Sequence, residues 1–153
     1  METVYIESSV LSYLVSRPSR DLVVAGRQQL TREWWDGSKA GFECLVSQVV
    51  IDEIAEGNPE MAARRLEKAR TIALLALDSS CVELARGFLE RGLIPPGEVR
   101  DALHIAVAVI WKGDYLLTWN CKHIANAHAV RQLRKFTDTL GHEFPQICTP
   151  EEL

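Results

Sequence analysis

Three acidic side chains stand beside apolar segments, where an isolated carboxylate is costly to bury. Glu7 follows the apolar run Val4-Tyr5-Ile6, Asp101 opens an apolar stretch that continues to Ile110, and Glu53 lies six residues after Ser47. Each has a plain structural reading. Glu7 and Asp101 could be first-turn acids that meet the positive end of a helix dipole. Glu53, with Asp52 and Glu56 beside it, could belong to a solvated helix face. Brought to one place, the three would repel one another and call for a hard cation. Mg²⁺ or Mn²⁺ answers that demand, because such ions take oxygen ligands and keep several waters. Asn120 is a neutral oxygen donor that follows another apolar run, Tyr115–Thr118.

Other chemistry-bearing residues fit simpler roles. His104 stands three residues after Asp101 and so shares its helix face. No partner motif completes a zinc site, which makes His104 a hydrogen-bonded core histidine. His123 and His128 are five apart, the wrong interval for one helical face. Lys122, Arg131, Arg134 and Lys135 are candidates for phosphate contacts, with an exposed helix face as the alternative. Trp34 and Trp35 read as core or dimer packing rather than as base-stacking platforms. Cys44, Cys81, Cys121 and Cys148 form no C-x-x-C pair, so they are expected to be reduced core or half-buried residues.

The elements that must position the acids can be read in order. Val4–Ile6 is a strand, and Ser8 or Ser9 caps a helix over Val10–Val15. A second helix covers about Asp21–Trp35 and breaks at Asp36-Gly37-Ser38. Phe42–Val46 is a second strand, and Ser47 starts a short helix through Glu56. Gly57 stops that helix, while Asn58 and Pro59 cap and open the next one, to about Arg70. Ile72–Leu77 is a third strand, and Ser80-x-x-Glu83 is a capping box opening a helix to Arg91. Glu98–Lys112, apolar on nearly every side, belongs in the middle of a domain. Tyr115–Thr118 is a fourth strand, Ala127–Leu140 a polar helix, and Gln146–Cys148 a last edge strand. Thr149-Pro150-Glu151-Glu152 resembles one more helix start.

Alternation of strands and helices implies right-handed βαβ units. The expected class is α/β: a three-layer α/β/α sandwich around a central, mostly parallel sheet of about five strands. In such sheets ligands bind beyond the carboxyl ends of the strands. Glu7 and Asn120 both fall there.

At 153 residues, 47% of them apolar and 25% charged, the chain is expected to form one domain over 1–153. No apolar run is long enough to cross a bilayer. The start METVYIESSV carries an acid where a secretory signal carries basic residues, so a cytoplasmic protein is expected. The net charge of −4 argues against a broad electrostatic footprint for nucleic acid, although a bound cation reverses the sign locally.

With these residues laid out, the chain resembles the PIN-domain family, named for the PilT N-terminus, and in particular its VapC-like toxin ribonucleases. The resemblance rests on VYIESSVLSYL, SQVVIDEIAEGNP, RDALHIAVAVIWKGDYLLTWN and CKHIAN, in that order along the chain. DALHIAVA followed by YLLTWN is its most specific part. The family's four acidic positions fall on Glu7, Glu53, Asp101 and Asn120. Glu7 replaces a usual aspartate, and Asn120 replaces a usual acid with a neutral amide. One tightly held cation is therefore expected rather than two. The resemblance implies a PIN-like fold and Mg²⁺- or Mn²⁺-dependent hydrolysis of single-stranded or loop RNA by activated water. Glu7 and Asp101 would hold the metal, and Glu53 would ligate through water or orient the attacking one. Asn120 would be a neutral ligand or anchor, with Ser8, Ser9 and Thr118 supporting the carboxylates by hydrogen bonds. It further implies a homodimer and a cognate antitoxin. Two rival readings stand beside it: a PIN-fold RNA- or partner-binding module without efficient catalysis, and a metal enzyme acting on another phosphate ester.

Overall fold

The computed structural model describes residues 1–153. Five strands, β1 (Thr3–Ile6), β2 (Glu43–Ser47), β3 (Ala73–Leu75), β4 (Tyr115–Leu117) and β5 (Gln146–Cys148), form one sheet in the order β3-β2-β1-β4-β5. Every neighbouring pair is parallel, so the sheet is wholly rather than mostly parallel. The central strands read as unbroken apolar runs because both faces are covered: Val4, Tyr5 and Ile6 have no solvent exposure.

Seven helices make the crossovers: α1 (Ser8–Val15), α2 (Leu22–Asp36), α3 (Gln48–Ile54), α4 (Pro59–Ala69), α5 (Ser79–Glu90), α6 (Val99–Ile110) and α7 (Ala127–Thr139). From β1 the chain steps outward to β2 and β3, then returns past β1 to β4 and β5. Right-handed crossovers moving in opposite directions lay their helices on opposite faces. Accordingly α1 packs on α2, α3 and α4, while α6 packs on α5. The reversal lies between β1 and β4, and their carboxyl ends frame the crevice there.

α6 behaves as its all-round apolarity requires: Ala102 and every residue from His104 to Val109 are buried. Trp34 joins the same core at 2% exposure, so it packs rather than stacks.

Three caps differ from expectation. Glu7, not Ser8 or Ser9, caps α1, which begins at Ser8, and its side chain accepts from the Ser9 N–H. Asp78, not Ser80, caps α5 by accepting from the Cys81 N–H. An aspartate meets the helix dipole with full charge and takes the first free amides before a serine two residues later can. Ser47 makes no side-chain cap bond to α3; its hydroxyl is 2.7 Å from that of Tyr5. Asn58 and Pro59 start α4 as expected, and Gly57 turns the chain there at φ 82°. β3 is shorter than the six-residue run expected, and Thr149–Glu152 closes a turn, with Glu152 accepting from the Thr149 N–H.

All four cysteines are free: Cys81 and Cys148 are buried, Cys44 is half-buried and Cys121 is exposed. The exposed Cys121 departs from the core or half-buried role expected of it. Burial pushes the Cys81 thiol up to about 11 and the Cys148 thiol up to about 12, and raises Cys44 as well. Since the thiolate is the nucleophile, a thiol reagent at neutral pH should titrate Cys121 fast and Cys44 slowly. Cys81 and Cys148 should react only in denaturant. Cys121→Ser should remove the fast phase alone; fast labelling of Cys81 or Cys148 in native protein would contradict this packing.

Candidate functional site: an acid cluster at the carboxyl edge

Glu7 sits where β1 becomes α1. Its backbone N–H still pairs with Leu117 O at 3.0 Å, so the residue is fixed by the sheet before the helix begins. The side chain is 4% exposed. Its Oε2 accepts from Ser9 N at 3.0 Å, and its Oε1 accepts from the hydroxyls of Ser9 and Thr118, each at 2.5 Å. The extra methylene of glutamate lets the carboxylate curl back over the first turn. Three donors offset much of the cost of burying this charge.

Glu53 reaches the same place from α3. One of its oxygens, Oε1, accepts from Ser8 Oγ at 2.6 Å and meets His104 Nε2 at 2.5 Å. Behind it, His104 Nδ1 lies 2.8 Å from the Tyr5 hydroxyl. Burial pushes the Glu53 carboxyl up, but His104, the Ser8 hydroxyl and the Arg100 charge outweigh it and hold the group below its ordinary range. Glu53 is thus turned inward, while Asp52 bonds Gln48 and Glu56 forms a fork with Arg100 on the exposed side. Donor atoms of Glu7, Glu53 and His104 lie within 4.8 Å of one another.

Asp101 comes from the first turn of α6 and is 8% exposed. Its Oδ2 is 3.0 Å from His123 Nδ1, and Glu98 Oε1 lies 3.9 Å from that same nitrogen. Glu98, Asp101 and His123 thus form a second tight group. Burial raises the Asp101 carboxyl above its ordinary value; the Asn120 amide opposes the rise, and the Glu7 charge adds to it. The three expected acids therefore divide between two groups, with the Glu7 charge near enough to act on Asp101. Asn120 anchors the loop after β4: its side-chain oxygen accepts from His123 N at 3.0 Å, and its backbone oxygen accepts from Ala125 N at 2.8 Å.

Of the supporting residues, Ser8 serves Glu53, and Ser9 and Thr118 serve Glu7. Lys122 is exposed in the loop between Asn120 and His123. Arg131, Arg134 and Lys135 line a separate groove between α7 and β5, which none of the three acids borders. Glu98 was not among the expected site residues, His123 was weighed only against His128, and His104 was expected only in the core. Glu98 had a signal, since it stands three residues before Asp101, at the cap of the same helix. His104 is indeed a buried, hydrogen-bonded histidine, but its tie to Glu53 spans a separation of 51 residues.

Carboxylates, hydroxyls and an amide converging at a strand switch point, with Asp101 raised by burial and by a like charge, make an oxygen-donor set suited to a hard dication.

A scan of the sequence against protein-family models and a search among curated proteins give no match. In three dimensions the chain is similar to one in the crystal structure of VapBC2 from Rickettsia felis bound to a DNA fragment from their promoter. The TM-score is 0.61 at 12% identity, covering 96% of this chain and 98% of that one. It is also similar to a chain of VapBC-1 from nontypeable Haemophilus influenzae, with TM-score 0.58 at 14% identity, covering 97% and 98%. Likeness at such low identity shows the fold: α/β and PIN-like, with a five-stranded parallel sheet and seven helices.

Proposed function

We propose that this protein is a divalent-metal-dependent ribonuclease of the VapC-like kind, hydrolysing phosphodiesters of single-stranded or loop RNA. The observation that carries the proposal is the meeting of Glu7 and Glu53, with the Ser8, Ser9 and Thr118 hydroxyls, at the carboxyl ends of β1 and β4. Asp101 shares their field. In this reading Glu7 and Asp101 hold Mg²⁺ or Mn²⁺, Glu53 completes the acidic wall, and Asn120 positions the loop that carries His123. A dication bound among them supplies Lewis acidity toward a phosphodiester and makes water more acidic. The chain's own residues exclude bulk water, fix the carboxylates and set the charge. With an amide at position 120, one cation is favoured over two.

A protein partner that silences the site, an antitoxin, and a homodimer belong to the same proposal. The similar structures named as VapBC support it as neighbours in fold. No helix of this chain is long and apolar enough to cross a membrane.

Cleavage of unstructured RNA should require added Mg²⁺ or Mn²⁺ and stop with chelator. Asp101→Asn, with circular dichroism unchanged, should lower the rate by more than the roughly 10–100-fold that loss of an outer partner costs. RNA binding without metal-dependent cleavage would instead support the binding module, and cleavage of a simpler phosphate ester alone would support the third reading.

A second prediction follows from the raised Asp101 carboxyl. A raised carboxyl pKa carries the protonated form to higher pH than in an ordinary aspartate, and a metal needs the ionised form. Mn²⁺ affinity, measured by calorimetry, should therefore begin to fall on acidification at a higher pH than an ordinary aspartate would cause. Affinity that does not fall on acidification would argue against Asp101 as a ligand.

A further inference from the structure

We propose that His104 is a positioning residue rather than a cation ligand: its Nε2–H pins one oxygen of Glu53 and leaves the other, Oε2, as the only oxygen of that carboxylate free to face a cation. The inference rests on the metal-dependent reading above and goes beyond it, since the close approach of Glu7, Glu53 and His104 equally suits a site in which the imidazole is itself a ligand.

The direction of each hydrogen bond decides between the two. An ionised carboxylate only accepts. At 2.5 Å from Glu53 Oε1, His104 Nε2 must therefore carry a hydrogen. Were Nε2 a bare lone pair awaiting a metal, two acceptors would confront each other at that distance. A neutral imidazole has one N–H, so Nδ1 is then the acceptor and the Tyr5 hydroxyl, 2.8 Å away, must donate to it. That spends the single proton of Tyr5, so the Ser47 hydroxyl at 2.7 Å donates to Tyr5 in turn. Should the ring be protonated instead, Nε2 still donates to Glu53 and only the links behind it reverse. Tyr5, Ser47 and His104 all have no solvent exposure, so no water competes for these bonds. Burial also keeps the Tyr5 hydroxyl protonated, far above its usual range.

The result at Glu53 is asymmetric. Ser8 Oγ and His104 Nε2 both land on Oε1, and no donor of the chain reaches Oε2. Two donors on one oxygen fix the carboxylate plane, and the vacant oxygen takes a single defined heading. Glu7 differs, since both of its oxygens accept bonds from the chain. A ligand held by a buried donor is the usual way metal-binding carboxylates are oriented.

The test uses the full chain and three variants: His104→Leu removes both bonds of the ring, His104→Gln keeps an N–H near the Nε2 position, and Tyr5→Phe cuts the link behind the ring without touching the Glu53 pocket. Mn²⁺ affinity is read by calorimetry and the His104 tautomer by ¹⁵N NMR, without metal and with Mg²⁺; circular dichroism checks the fold. His104→Leu should weaken Mn²⁺ binding by roughly 10–100-fold. His104→Gln should recover most of that loss, and Tyr5→Phe should fall between them. The parent should show Nε2–H, unchanged on adding Mg²⁺. Parental affinity in His104→Leu, an equal loss in His104→Gln, or an Nε2 without hydrogen would overturn the role while leaving the nuclease reading intact. If His104→Leu does not fold, Tyr5→Phe and the tautomer decide: parental affinity in Tyr5→Phe, or a bare Nε2, overturns it. A parent chain that neither binds Mn²⁺ nor cuts RNA brings down the metal-dependent reading, and the role with it.

Discussion

Carboxylates buried at the edge of an apolar sheet must be compensated, and that single electrostatic constraint organises this end of the molecule. An uncompensated buried charge costs several kcal/mol, comparable to the whole stability of a domain this size. The chain meets the demand with short side chains from its own first turns. Ser8 and Ser9 open α1, Thr118 follows β4, and each donates to one of the acids. The compensation is incomplete at Asp101, where burial and the charge of Glu7 still raise the carboxyl. Acids left partly unsatisfied in this way are an oxygen-donor set that suits a cation. A site that satisfied them all would be only a well-capped helix.

Topology supplies the meeting place. Because β1 is central and the chain reverses direction beside it, the ends of β1 and β4 open onto a crevice that no crossover fills. Glu7 and Asn120 arrive there from strand ends, whereas Glu53 and Asp101 arrive from helices α3 and α6. The α6 helix is held on almost every side by core residues, so Asp101 is presented on a rigid element rather than a loop. Such rigidity fixes the geometry of the acid without help from any bound group.

How much of this could be read from the residues follows from the range of each interaction. Strand runs such as Val4-Tyr5-Ile6, the all-apolar helix after Asp101, and the Gly57-Asn58-Pro59 stop and start are local signals, and the structure repeats them. The cap at Glu7 escaped because glutamate is not among the favoured capping residues; it works here only because the sheet fixes the backbone first. Glu53 looked solvated because Asp52 and Glu56 flank it, yet Asp52 bonds Gln48 along the helix and Glu56, past the end of α3, pairs with Arg100, while Glu53 alone meets Ser8 and His104. The partners of His104 and His123 are set by tertiary packing, and no spacing rule reaches across such separations.

A shorter aspartate at position 7 would have its carboxylate one methylene closer to the backbone, where one capping bond is natural but the span to Thr118 is not. Glutamate makes both, so the residue ties β1, α1 and the residue after β4 together while staying in the acid group. At position 120 an acid would add a further negative charge to a cluster in which Glu7 and Glu98 already raise Asp101. The amide removes that repulsion and accepts from the His123 N–H, which seats the imidazole beside Asp101. Glutamate at position 7 keeps the charge an aspartate would carry and adds the bond to Thr118, whereas the amide at position 120 lowers the charge of the cluster; both act at the two strand ends that define the crevice.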